Sequence, residues 1–258
     1  MNQAALLCPA LGFALLTACG RSPAPSETPV AVVVVPNAAP TIPQQNPTAP
    51  RQSNPLQLLA VVDQLDPLAA LVLPPDEAKL ITERVSCGGA SRCTVHYLGV
   101  QPRAGESIDA ARVRLLRVLD GIEAPEGCRW AVQAVSETDE RGRSEQLGWR
   151  SYLLEDKTIV QASDVARAWV RQADSNEPEP GRRPTVHMQL TEPASRRFRD
   201  YTRKNLGTRI AILIDGVVEV APVIASEITG ELTLTFGSDS RDRAQHLVDA
   251  LRASSGAE

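Results

Sequence analysis

Nine prolines between Pro23 and Pro55 decide where this chain of 258 residues can build a core. Proline lacks a backbone N–H and fixes its own φ, so repeated prolines favour extended, solvated chain over helix or sheet ladder. Residues 19–55 are therefore expected to form a semi-stiff, disordered tether, which leaves the folded part to begin near Leu56. One stretch breaks the pattern. Val30 to Val35 is an apolar, β-branched run held between Pro29 and Pro36.

What precedes the tether explains why one is needed. Ala4 to Leu16 is an apolar run too short for a bilayer-spanning helix, and small residues follow it at Thr17 and Ala18. Leu16-Thr17-Ala18-Cys19 resembles the lipobox of bacterial lipoproteins, which implies a signal peptide over residues 1–18 and lipidation at Cys19. Met1-Asn2-Gln3 departs from the usual pattern by carrying no Lys or Arg. Acyl chains contribute roughly 0.8 kcal/mol per buried methylene, so a multiply acylated cysteine anchors firmly. The resemblance places the chain in the bacterial cell envelope, outside the cytoplasm. Gly20 is not an acidic retention signal, which points to the outer membrane.

Beyond the tether, Leu56–Leu73 is apolar enough to suggest a membrane helix. Asp63 and Asp66 in its middle would each cost roughly 2.5–3.5 kcal/mol on insertion. Residues 56–83 are instead read as a short amphipathic helical segment. Residues 84–148 follow the order β-α-β-β. Thr94–Val100 is β-rich, Ile108, Ala111, Leu115, Val118 and Leu119 share a helix face, and Cys128, Trp130, Val132 and Ala134 alternate like a half-buried strand. Glu137–Glu145 is a polar hairpin loop before a strand at Leu147–Leu154. With Cys8 in the signal peptide and Cys19 lipidated, one disulfide remains possible in an oxidising compartment, either Cys87–Cys93 or Cys93–Cys128.

The last third is the most organised. Ser163 can cap a helix bearing Val165, Ala168, Trp169 and Gln172, and the linker Asn176–Pro184 leads to a strand at Thr185–Leu190. Pro193 opens a helix that Gly207 ends; Arg209–Ile214 is a strand, Asp215-Gly216 a tight turn, Val217–Ile224 the return. Ile228–Phe236 is a strand before a closing helix with Ala244, Leu247, Val248 and Leu251. The run from Gly207 to Ile224, GTRIAILIDGVVEVAPVI, resembles the head subdomain of the SecD and SecDF protein-export proteins. Phe198, Thr202 and Asn205 are similar to the family's preceding helix, and Phe236 with Ala244, Leu247 and Leu251 to its closing strand and helix. The resemblance covers 149–252, with a tail at 253–258. It implies an α+β fold: a mixed or antiparallel sheet with helices on one face, preceded by the β-α-β-β segment.

The resemblance also implies a partner. The head is expected to bind polypeptide, an export client or an envelope protein, and to meet Sec translocase components. An open strand edge for such a client is expected at Val217, Val218, Val220, Pro222, Val223 and Ile224. The alternative is a structural or interaction lipoprotein that reuses the fold without an export role. Arg196, Arg199 and Arg203 make a basic helix face that is either solvated or a docking surface. The net charge of −4 gives no positive field for nucleic acid. His96, His187 and His246 are scattered, without a catalytic or metal-binding motif, so no enzyme activity, metal or cofactor is expected.

Overall fold

The computed structural model describes residues 31–34, 54–71, 73–74, 76–88, 91–138, 144–171, 184–236 and 241–255. The signal peptide, Cys19, most of the proline-rich segment and the linker 176–183 lie outside the described residues. The fold is α+β, with three helices, a four-stranded sheet and a larger, curled sheet.

The curled sheet contains a ring. β2 (Leu56–Val61) pairs antiparallel with β9 (Ile210–Ile214), which pairs antiparallel with β10 (Val217–Val220). β10 then meets β5 (Cys128–Thr138) in parallel through Val218 and Gln133. β5 runs antiparallel to the first part of the long strand β6 (Ser144–Gln161), whose second part returns to β2 through Leu154–Val61 and Val160–Leu58. Five strands thus close on themselves, and closure removes the edges an open sheet would expose. β4 (Arg92–Val100) branches from β6 at Gly99 and Val100, and β3 (Lys79–Ser86) lies outside it.

Two expectations fail here for one reason. Leu56–Val61, read as helical, is a strand with both faces buried: Leu58 enters one core and Leu59 another, so no alternation betrays it. Val165–Arg171, also read as helical, is the strand β7. Val165 and Ala168 are both buried, and the register shift between Val165 and Arg167 puts them on one face at a helix-like spacing of three. The boundary drawn at 148/149 falls inside β6, and β9 and β10 from the second part complete the ring begun by β2 and β5. The pieces 84–148 and 149–252 of the globular region thus share strands of one ring.

The remaining elements form the second sheet and its cover. β8 (Thr185–Leu190) lies antiparallel between β7 and β11 (Glu231–Thr235). Helix α2 (Glu192–Lys204) carries Pro193 in its first turn, where the missing N–H costs nothing. Helix α3 (Arg241–Ser255) takes in the first residues of the expected tail. Ala194 and Phe198 of α2 and Ala244, Leu247, Val248 and Leu251 of α3 are buried with Val186, Met188, Leu232 and Leu234 and with Ile210, Ile212 and Ile214 of the ring. One core therefore joins the four-stranded sheet, both helices and the ring's outer wall; each fully buried aliphatic contributes roughly 1.5–3 kcal/mol. Helix α1 (Ile108–Asp120), capped by Ser107 Oγ accepting from the Ala110 N–H at 3.1 Å, buries Ala111, Leu115 and Leu119 near Trp149.

Candidate functional site: a strand edge completed by the tether

Three strands of the four-stranded sheet run in the order β11-β8-β7, and the free sides of β11 and β7 differ. β7 ends the sheet on one side with a register shift and with Arg167 and Arg171 along it. Bulges and charges are the usual protection of an edge against strange strands. β11 has neither a bulge nor a proline and pairs with β8 in unbroken register from Glu231 to Thr235. Its outer side takes β1 (Ala31–Val34), a strand from the proline-rich segment, in parallel: Ala31 opposite Leu232, Val32 opposite Thr233, Val33 opposite Leu234 and Val34 opposite Thr235.

The sequence makes β11 suited to this. Leu232 and Leu234 point into the core, so the strand is pinned from one face. Gly230 starts it with φ +95, and a Cβ there would stand 2.3 Å from Ser195 Oγ of α2; only glycine lets the strand approach so closely. On the sheet's other face, Trp169, His187 and Thr233 form a cross-strand row. Trp169 stacks on His187 at 5.5 Å, with Arg167 over the indole at 5.4 Å. Thr185 and Thr233 hydroxyls hold the two imidazole nitrogens at 3.3 Å each. Burial, with Arg171 adding to it, pushes His187 below the ordinary histidine value, so the ring is neutral at neutral pH.

The charged residues of the ring are bound to each other. Arg209 and Asp63 are both buried; Arg209 Nε–H donates to Asp63 at 2.8 Å and an Nη–H donates to Tyr97 Oη at 2.6 Å. Burial opposes the guanidinium charge, but the Asp63 carboxylate outweighs it and holds Arg209 above its ordinary value. Gln133 receives Arg150 Nε–H at 2.7 Å and Tyr152 Oη–H at 3.2 Å, and donates to Glu219 O at 3.0 Å. The first of these networks joins the chain just past β2 and just before β9 to β4, and the second joins β5 to β6 and β10. A groove of about 520 Å³ runs between β3, β4 and β6, with Ile81, Val135 and Leu147 on its walls. Arg114 at its rim holds Glu106 at 2.9 Å, and that bond draws the Glu106 carboxyl down to about 2.

The residues singled out from sequence fall as follows. Cys87 and Cys93 form the disulfide, and Cys128 is a free thiol whose pKa burial raises. The strand edge expected at Val217–Ile224 is not open: β10 lies between β9 and β5, Val217 and Val218 are buried, and Val223 bridges back to Arg209. Its parallel pairing with β5 is a long-range event that no local pattern reveals. Ile224 is buried too, while Val220 and Pro222 are half-buried. Arg196, Arg199 and Arg203 lie on the exposed side of α2, beside Glu192, Glu227 and Asp200. Among the described residues no cluster of His, Cys, Asp and Glu could hold a metal, and no helix is long and apolar enough to cross a membrane. The β1–β11 edge was missed, although Val30–Val35 between two prolines was its signal.

A short parallel addition of one segment of the chain to β11 completes the four-stranded sheet of this α+β domain. Residues 135–256 match the family described as SecDF, P1 head subdomain, and the chain carries a SecD head-like domain. The protein translocase subunit SecD of Acidaminococcus fermentans is 29% identical over 142 residues, covering 55% of this chain and 30% of that protein. The SecDF subunit of Thermus thermophilus is 38% identical over 73 residues, covering 28% of this chain and 10% of that one. The chain thus spans less than a third of the length of these relatives. A solved structure described as a membrane component SecDF that enhances protein export aligns with 77% of this chain and 93% of its own, at 20% identity and a TM-score of 0.33.

Proposed function

We propose that this chain is a non-catalytic, lipid-anchored module of the bacterial cell envelope that assists protein export by holding extended polypeptide at the β11 edge. Its relatives are named as protein translocase subunits, and its own fold is of the export-related head type. The observation that carries the reading is the addition of Ala31–Val34 to β11, because an edge that takes one remote segment by backbone pairing takes others by the same bonds. Cys19 supplies the anchor and residues 20–55 the reach.

Photocrosslinking in cells from Glu231 and Thr235, with Arg167 on β7 as the control position, tests this. Adducts with secreted precursors or Sec components are expected from β11 and not from β7. Equal yields at both edges, or a single unrelated envelope protein, would overturn the export role. Loss of metabolic palmitate labelling in Cys19→Ser is the expected sign of the anchor.

A further inference from the structure

We propose that β1 is a built-in competitor for the β11 edge, a self-strand that a client segment must displace. The inference rests on the reading of β11 as the polypeptide-binding edge and adds what controls it.

The fit is short by construction. Pro29 and Pro36 bracket the segment, and a residue without an N–H and with a fixed φ cannot extend a ladder in either direction. β11 pairs with β8 over five residues, Glu231 to Thr235, yet β1 pairs with only four of them, Leu232 to Thr235. A client without flanking prolines can use the whole strand. Backbone pairing supplies most of the attraction, so the class of client follows from register: an extended run parallel to β11, β-branched, low in charge, with alternate positions beside the buried Leu232 and Leu234.

Such a short strand would bind weakly from solution. Residues 35–53 join it to the domain, and a linker of that size gives an effective concentration on the order of millimolar. That concentration protects the unbulged edge from casual pairing. It yields to a longer segment, or to one delivered at high local concentration. The competition has a simple arithmetic: if β1 is docked for about nine-tenths of the time, the apparent affinity of any client falls about tenfold.

The test is fluorescence anisotropy with a labelled peptide of the sequence Val30–Val35, without its prolines, added to the mature chain and to the Val32→Pro/Val33→Pro variant. A chain lacking residues 30–35 serves as the second variant, and circular dichroism checks that each is folded. Binding at least tenfold tighter to both variants than to the natural chain is the expected result. Equal affinity for all three would overturn the self-competition and leave edge binding standing. No binding to any of them would overturn the edge reading itself, and with it the function proposed above.

Discussion

The five-strand ring and the four-stranded sheet are built from the same stretch of chain and treat their backbone groups in opposite ways. In the ring, each strand has a neighbour on both sides; Arg209 is bonded to Asp63 and Tyr97, and Arg150 and Tyr152 are both bonded to Gln133. In the four-stranded sheet, β7 ends one side with a bulge and two arginines, while β11 has Glu231 but no bulge and is covered by a four-residue strand. The ring therefore stores stability, and the sheet keeps the strand on which the proposed exchange of pairing partners rests. Closing a sheet and leaving one edge available are incompatible demands on a single layer, and this fold assigns them to two.

The largest effect should come from breaking the ring's ion pair. Arg209→Met leaves the Asp63 carboxylate buried without its partner, which costs about 3–5 kcal/mol. The double variant Arg209→Met/Asp63→Leu should recover most of that loss in urea denaturation. If the single and double variants are equally unstable, the cluster is not the ring's electrostatic centre.

A smaller effect, about 2 kcal/mol, is expected from Gly230→Ala in the sheet, because the added Cβ meets Ser195 Oγ on a backbone with φ +95. The same variant should weaken peptide binding at β11, whereas the Arg209 variant, at temperatures where it stays folded, should not. That pair of results separates the stabilising region from the binding one.

The smallest effect appears only in alkali and compares the two regions directly. Burial raises Tyr97, which borders the ring, to about 12 against the lowering influence of Arg209, and raises Tyr201 on α2 to about 12 as well. Both phenols stay neutral in the folded chain after the unfolded chain has begun to ionise near 10. Their contribution is thus complete below pH 10 and is lost between pH 10 and 12. Thermal melts should fall over that window, and Tyr97→Phe and Tyr201→Phe should each flatten part of the fall. A melt unchanged from pH 9 to 12 would refute the shared burial.

Sequence patterns were most legible where one face is buried and the other wet. The three helices, the Asp215-Gly216 hairpin between β9 and β10, and β11 all lie near where their patterns put them. The Cys87–Cys93 pair was one of two legible choices, and the fold selected it by placing both residues at the facing ends of β3 and β4. β2 and β7 were not legible. In the first, Leu58 and Leu59 serve different cores; in the second, a register shift mimics helical spacing.

The sequence by itself determined what is local: where the helices α1, α2 and α3 start and stop, and which hairpin must turn. Those follow from dihedral limits and from periodicities a few residues long. Only the tertiary structure decided that β10 would be enclosed by β5, that β6 would bend back to close the ring on β2, and that β11 would take β1 as its neighbour. These strand pairings join residues more than eighty positions apart through backbone groups common to every residue, so side-chain patterns leave that choice to the packing of the whole.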